Sequence, residues 1–125
     1  MKIKFLKPKL PVGKVKCTVH LSGKLGFSKA AIKELGIDDN SYIKIGINEE
    51  ESYDTNLYMA ILGEENADTF KIKKAGDYHY VNTQHLLDEL EVDYKNKKVI
   101  YDIESFDYEG TKMYKLTKRE IERKQ

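Results

Sequence analysis

Apolar and polar residues alternate along several short stretches of the chain. Val15 and Cys17 alternate with lysines, and Ile43 and Ile45 are separated by Lys44. A period of two residues is typical of a strand with one buried face. This pattern predicts strands near 14–21, 24–27, 41–48, 57–63, 69–74, 77–82, 98–104 and 111–117, so the chain is predicted to be rich in β-structure.

Two further stretches have helical spacing. Apolar residues at positions 31, 32 and 35, and again at 86, 87 and 90, each form one stripe on a helix. Ser28 and Thr83 precede these stripes at positions where a hydroxyl group caps free backbone N–H groups. Two short helices are predicted, at 28–36 and 83–91.

The same order of segments occurs twice. "SKAAIKELGID" (28–38) aligns with "TQHLLDELEVD" (83–93), and the strands follow at nearly the same spacing. Units of about 50 residues bury too little surface to be stable alone, so the two copies must share a core. We predict a β-rich α/β (α+β) fold of two ββαββ repeats, 14–63 and 69–118, forming one pseudo-two-fold β-barrel within a domain at 14–118. A basic N-terminal arm at 1–13 and a charged C-terminal tail at 119–125 flank it.

The stretch "GKLGFSKAAIKELGI" (23–37) resembles the core of the AbrB-like (SpoVT/AbrB, MazE) swapped-hairpin family. The positions that fall on the family pattern are Gly23, Lys24, Leu25, Phe27, Leu35, Gly36 and Ile37. The chain departs from the pattern where Ser28 replaces a proline and Asn40-Ser41 replaces a Gly-Asp turn. The second copy lacks both the Gly-basic start and the Leu-Gly exit.

This resemblance implies a swapped-hairpin barrel that presents basic residues to DNA. Lys24 matches the basic residue that follows the family's glycine, and Lys33 matches a basic position on its helix. The family fold is normally a homodimer, so a tandem copy implies the same arrangement within one chain.

Charge is segregated along the chain although the net charge is only +1. Residues 1–24 contain seven lysines and no acid, whereas 38–109 contain 18 acids and seven lysines. Residues 110–125 are basic again. Such asymmetry suggests a polyanionic partner for the two ends. The alternative is that the lysines only keep the protein soluble.

Seven lysines of the arm and the first repeat are the candidate nucleic-acid contacts: Lys7, Lys9, Lys14, Lys16, Lys24, Lys29 and Lys33. Arginine, the usual base-reading residue, is scarce, so contact with phosphates is expected more than contact with base edges. The predicted function is a non-enzymatic, DNA-binding regulatory protein. Tyr78 and Tyr80 share one face of a strand and offer a weaker hypothesis of base stacking, opposed by the charge of Asp77. The alternative for the arm is a solubilising tail or an extra edge strand.

Other functions find less support in the sequence. Glycine-rich phosphate loops, paired CxxC motifs and HExxH are absent, so no catalytic residue, metal or cofactor is predicted. One cysteine, no secretory signal and no long apolar run favour a cytoplasmic monomer or homodimer without membrane contact. The main alternative is an antitoxin-like or accessory module whose acidic middle, through Glu49, Glu50 and Glu51, faces a basic protein.

Overall fold

The computed structural model describes residues 1–6 and 14–123. The predicted contacts Lys7 and Lys9 lie outside the described residues. The elements are β1 (Lys16–Val19), β2 (Lys24–Phe27), α1 (Lys29–Leu35), β3 (Tyr42–Gly46), β4 (Leu57–Leu62), β5 (Thr69–Lys71), β6 (Lys73–Ala75), β7 (Tyr78–Asn82), α2 (Gln84–Glu89), β8 (Lys97–Tyr108) and β9 (Thr111–Glu122). Residues 1–6 are exposed and lie in neither a helix nor a strand, so the edge strand considered at the N-terminus does not form there.

The strands of the described residues form one antiparallel sheet in the order β5-β3-β4-β9-β8-β1-β2-β7-β6. Its two edges, β5 and β6, are neighbours in sequence and are separated only by the buried Ile72. The sheet therefore curls into a nearly closed barrel. The prediction of a small β-rich barrel with two short helices is confirmed at this level.

The β8–β9 hairpin is longer than predicted. The sequence predicts strands near 98–104 and 111–117 with a loop between them, but β8 runs to Tyr108 and β9 begins at Thr111. Glu109 and Gly110 form the turn between them, both with positive φ (50° and 81°), as the tightest hairpin turns require. Pairing at the other end reaches Lys97 and Glu122. The predicted C-terminal tail is therefore wrong for residues 119–122, which are strand, because cross-strand pairing with β8 extends past residue 118.

A single hydrophobic cluster fills the barrel with side chains from both halves of the chain. Cys17, Leu25 and Ile43 from the first half contact the same interior as Val81 and Leu116 from the second half. All five are almost completely buried. Within residues 14–123 neither half has a separate core, so the two halves depend on each other for burial of apolar surface.

The two helices begin differently and end alike. Ser28 Oγ accepts a hydrogen bond from the Ala31 N–H and caps α1, whereas Thr83 makes no such bond to α2. The hydroxyl of Thr83 instead donates to the carbonyl of Gly23 at 2.8 Å. Each helix is followed by a residue in the left-handed conformation, Gly36 (φ 67°) and Glu91 (φ 59°).

Candidate nucleic-acid interface

The outer face of β1, β2 and β7 contains two of the five described candidate lysines, together with the two tyrosines considered for base stacking. Thr18 lies opposite Gly26, and Gly26 lies opposite Tyr80. Residues two apart from these also point outward, because successive side chains of a strand alternate between its faces. Lys16, Lys24, Tyr78 and Tyr80 therefore share one face, while Cys17, Leu25 and Val81 point into the barrel.

Tyr78 is the centre of an aromatic cluster on this face. Its ring is 6.1 Å from the Tyr80 ring, with an angle of 23° between the planes. The His20 ring lies 5.3 Å from the Tyr78 ring in a T-shaped arrangement, and His20 Nε2 is hydrogen-bonded to the Tyr78 hydroxyl. The Lys24 ammonium group lies 4.8 Å from the Tyr80 ring centroid, in cation–π geometry. Tyr78 keeps 37% of its surface exposed, and its partial burial raises the pKa of the phenol.

Two surface grooves meet at Tyr78. The first has a volume of about 650 Å³, and its walls include His20, Lys16, Lys98 and Arg123. The second has a volume of about 630 Å³ and is bordered by α1 and the start of β7. Its charged lining residues are Lys29, Lys33 and Asp77, together with His79. Tyr78, Phe27 and Ser28 line both grooves and so form the boundary between them.

The first groove has a strongly positive lining. Three cations and no carboxylate line it among the described residues. Arg123 is fixed by a hydrogen bond of 2.9 Å from its guanidinium to the carbonyl of Tyr94. Asp102, the cross-strand neighbour of Lys16, accepts two hydrogen bonds from Arg119 at 2.8 and 3.1 Å. This pair offsets the negative charge opposite Lys16 on the neighbouring strand, and the Asp102 carboxylate raises the pKa of the Arg119 guanidinium.

The structure brings some predicted lysines together and separates others. Lys16 lines the first groove, while Lys29 and Lys33 line the second. Lys24 lies on the Tyr80 ring. Lys14 is exposed just before β1, where its carbonyl accepts a hydrogen bond from the Ser28 hydroxyl at 2.7 Å.

Lys98 and Arg123 line the first groove but were not among the candidate contacts. Lys98 lies in the acidic segment 38–109 and Arg123 in the predicted charged C-terminal tail, and they reach the groove only because β8 pairs with β1 and β9. The outward position of Lys98 follows from strand alternation, but its proximity to His20 depends on long-range pairing. No local pattern in the sequence indicates that pairing.

The acidic loop between β3 and β4 is hydrogen-bonded within itself. Asp54 accepts hydrogen bonds from the Tyr58 hydroxyl and the Asn56 N–H, which lower the pKa of its carboxyl. The segment Glu49–Glu51 is exposed and lines neither groove. The loop is therefore a separate surface from the aromatic cluster.

Other chemistry on the described part of the chain is limited. No group of three or more His, Cys, Asp and Glu residues there is arranged to bind a metal ion. The Cys17 thiol is fully buried, and burial raises its pKa. Within the described ranges, no helix has the length and apolar character needed to cross a membrane.

Comparison of the chain with protein-family models, with curated proteins and with solved structures finds no match.

Proposed function

We propose that the protein is a non-enzymatic nucleic-acid-binding protein, acting as a DNA-binding regulator, that contacts phosphate groups along the two grooves. One observation carries the proposal: among the described residues, the linings of the two grooves contain five cations and one carboxylate. The cations are Lys16, Lys29, Lys33, Lys98 and Arg123, and the carboxylate is Asp77. Lys14 and Lys24 are further candidate contacts among the described residues, and Lys7 and Lys9 stay candidates from the sequence alone.

Phosphate binding requires several cations on one surface, because each contact releases condensed counterions and contributes to affinity. A lysine is a flexible point charge that suits the phosphate backbone, whereas bidentate reading of a base usually requires arginine or an amide. Four of the five groove cations are lysines. The proposed binding is therefore directed to the backbone and depends only weakly on sequence.

We further propose that the barrel consists of two repeats of the swapped-hairpin type. The pairing of strands supports this, because each pairing has a counterpart in the other half. β1–β2 matches β6–β7, β1–β8 matches β5–β3, and β3–β4 matches β8–β9. β2–β7 and β4–β9 each join equivalent strands. In this arrangement the β3–β4 hairpin of the first repeat pairs with β5 of the second.

The sequence alone aligns Ile43, Ile45 and Ile47 with Val99, Tyr101 and Ile103 after an insertion of one residue. The strand registers favour a different alignment of β3 and β8. Ile43 lies opposite Ile61, and Ile103 lies opposite Leu116. The proposed equivalent of Ile43 is therefore Ile103, not Val99, and the insertion before β8 is longer than one residue. A shift of four residues preserves the inward face, so the apolar pattern alone does not distinguish the two alignments.

Fluorescence anisotropy with labelled DNA at about 50 and 200 mM salt tests the proposal. For six or more phosphate contacts, affinity should fall at least roughly 10³-fold between these conditions. Replacing Lys16, Lys29 and Lys33 with Glu should abolish binding. The matched control replaces the exposed Lys71, Lys95 and Lys112, which line neither groove, and should bind far better than the groove variant. Equal effects of the two triple variants, or no binding at low salt, would refute the groove as the site.

A role in protein interaction is the second candidate. The β3–β4 loop exposes Ile47 (51%) and Tyr53 (79%) beside Glu49, Glu50 and Glu51. An apolar pair beside three carboxylates is suited to a basic partner protein, as in an antitoxin-like or accessory module. Charge reversal of the three glutamates should then abolish capture of that partner, while the groove variant should retain it.

A further inference from the structure

We infer that the grooves bind single-stranded nucleic acid and that Tyr78 stacks on one of its bases. This inference rests on the proposed function and specifies the strandedness of its ligand. In a duplex the faces of the bases are stacked on one another and are not accessible to a side chain on the protein surface. A single strand exposes both its phosphates and its base faces, so it can use an aromatic ring and flanking cations together.

Tyr78 is held in place before any ligand binds. Tyr80 stacks beside it, the His20 ring packs against it in a T-shaped pair, and its hydroxyl is hydrogen-bonded to His20 Nε2. The ring lies over Gly26, where a side chain would collide with it. A ring fixed in this way loses little conformational freedom when a base stacks on it, while 37% of the residue's surface remains accessible.

Cations lie on both sides of the ring. Lys16, Lys98 and Arg123 line the groove on one side, and Lys29 and Lys33 line the groove on the other. A strand that passes from one groove to the other therefore crosses Tyr78, where its backbone has cations before and after the stacked base. This is the combination of basic channel and aromatic platform that sequence-tolerant single-strand binding uses.

The acidic residue next to Tyr78 does not reverse the charge of the surface. Asp77 is the one carboxylate among the described residues that line the two grooves, against five cations. Asp39, the nearby carboxylate, is 3.5 Å from His79 Nε2 and is not among the lining residues. In the sequence, the negative charge of Asp77 opposed the hypothesis of base stacking. In the fold, that charge is outweighed by the cations that line the same two grooves.

Three ligands of the same length test the inference on the unaltered protein: oligothymidylate of about 12 nucleotides, an abasic strand with the same phosphates, and a duplex. Anisotropy at about 50 mM salt should give the tightest binding for oligothymidylate. The abasic strand should bind roughly 5- to 100-fold more weakly, the loss expected for one or two stacked bases. This comparison requires no mutation, so it does not depend on the folding of a variant.

Two variants of Tyr78 then locate the stacking. Tyr78→Leu should lower the affinity for oligothymidylate by about tenfold and leave that for the abasic strand unchanged. Tyr78→Phe retains the ring and should bind as the unaltered protein does. Tyr53→Leu removes a tyrosine that is 79% exposed and lines neither groove, so it should have no effect.

The outcomes separate the inference from the proposed function. Equal binding of oligothymidylate and the abasic strand, or tighter binding of the duplex, would overturn the inference and leave phosphate binding intact. An unchanged oligothymidylate affinity in folded Tyr78→Leu would also overturn it. No binding of any of the three ligands at low salt would overturn both.

Discussion

The phenol of Tyr78 lies across the backbone of Gly26, so that its hydroxyl oxygen occupies the space that a Cβ atom would fill at position 26. Gly26 is in the middle of the β2–β7 pairing, where a glycine otherwise weakens a strand. The glycine is therefore explained by the close approach of the ring and not by a turn.

Gly26→Ala is expected to displace the Tyr78 ring. The overpacking should lower the free energy of unfolding by about 1–3 kcal/mol. In a Tyr78→Ala background the same change should cost much less, because only the end of the His20 side chain, whose Nε2 lies 2.9 Å from the Cβ position, then has to move, and alanine restricts the unfolded chain more than glycine does. Urea denaturation of the four proteins in this double-mutant cycle measures the coupling. Additive effects would mean that the ring does not rest on Gly26.

Asp102→Asn is expected to increase affinity for a polyanion. Asp102 engages Arg119 with two hydrogen bonds next to Lys16, so removal of its charge frees a cation beside the first groove. Since the pair is partly exposed, the loss of stability should be below about 1 kcal/mol. Affinity for DNA at low salt should rise several-fold. Asp107→Asn changes the net charge equally on the exposed part of the β8–β9 hairpin and should have a smaller effect. An unchanged affinity in Asp102→Asn would argue against phosphate binding in the first groove.

The outline of the barrel was largely predictable because short-range patterns determine it. The alternation around Cys17 and Ile43 and the helical stripe that contains Leu35 each specify an element locally, and each element forms within a few residues of its predicted limits. The segment 69–74 is the exception, since the buried Ile72 divides it into β5 and β6.

The length of the β8–β9 hairpin and the composition of the grooves were not predictable in this way. Ser105, Asp107 and Glu109 are polar residues typical of a loop. They instead extend a hairpin in which the backbone groups of the two strands are hydrogen-bonded to each other. Such pairing requires no buried side chain, so hydrophobic periodicity does not detect it. The same long-range pairing brings Lys98 to the groove that Lys16 lines.

The ends of the two helices provide a test of the proposed repeat. Gly36 and Glu91 both adopt the left-handed conformation, and the N–H groups of Ile37 and Val92 then bond back to the carbonyls of Ile32 and Leu87. Glutamate is strained in this conformation and glycine is not. Glu91→Gly should therefore stabilise the protein by about 0.5–1 kcal/mol.

The reciprocal change is Gly36→Ala. A Cβ atom at Gly36 meets nothing within 4 Å, so only the backbone conformation opposes it. This change should destabilise the protein by about 1 kcal/mol. Thermal unfolding of Glu91→Gly and Gly36→Ala measures both changes in stability. Destabilisation by Glu91→Gly would show that the two helix ends are not equivalent in energy.

Two tyrosines in the second half should respond in opposite ways to loss of the hydroxyl group. The buried Tyr101 hydroxyl makes no hydrogen bond among the described residues, whereas the Tyr94 hydroxyl donates to Asp88 at 2.6 Å. An unpaired buried polar group costs free energy. Tyr101→Phe should therefore leave the free energy of unfolding unchanged or raise it, while Tyr94→Phe should lower it by about 1 kcal/mol. Chemical denaturation measures the free energy of unfolding of both variants. A large decrease in Tyr101→Phe would show that the Tyr101 hydroxyl has a hydrogen-bond partner.

The buried thiol of Cys17 should make stability depend on alkaline pH. Burial, and secondly the charge of Asp102, raise the pKa of the thiol in the folded protein far above its ordinary value. The folded protein therefore keeps this proton in a range where the unfolded chain loses it. The contribution of the thiol to the free energy of unfolding is therefore complete below a pH of about 8.5 and decreases above it, by about 2 kcal/mol at pH 10.

Cys17→Ala has no thiol and so lacks this pH-dependent contribution. Because alanine leaves a small cavity, the variant should be less stable than the unaltered protein at pH 7.5. The difference in the free energy of unfolding between the two proteins should shrink by about 2 kcal/mol between pH 7.5 and pH 10, since all other titrating groups are shared. A constant difference would mean that the thiol is accessible to solvent and lies outside the core.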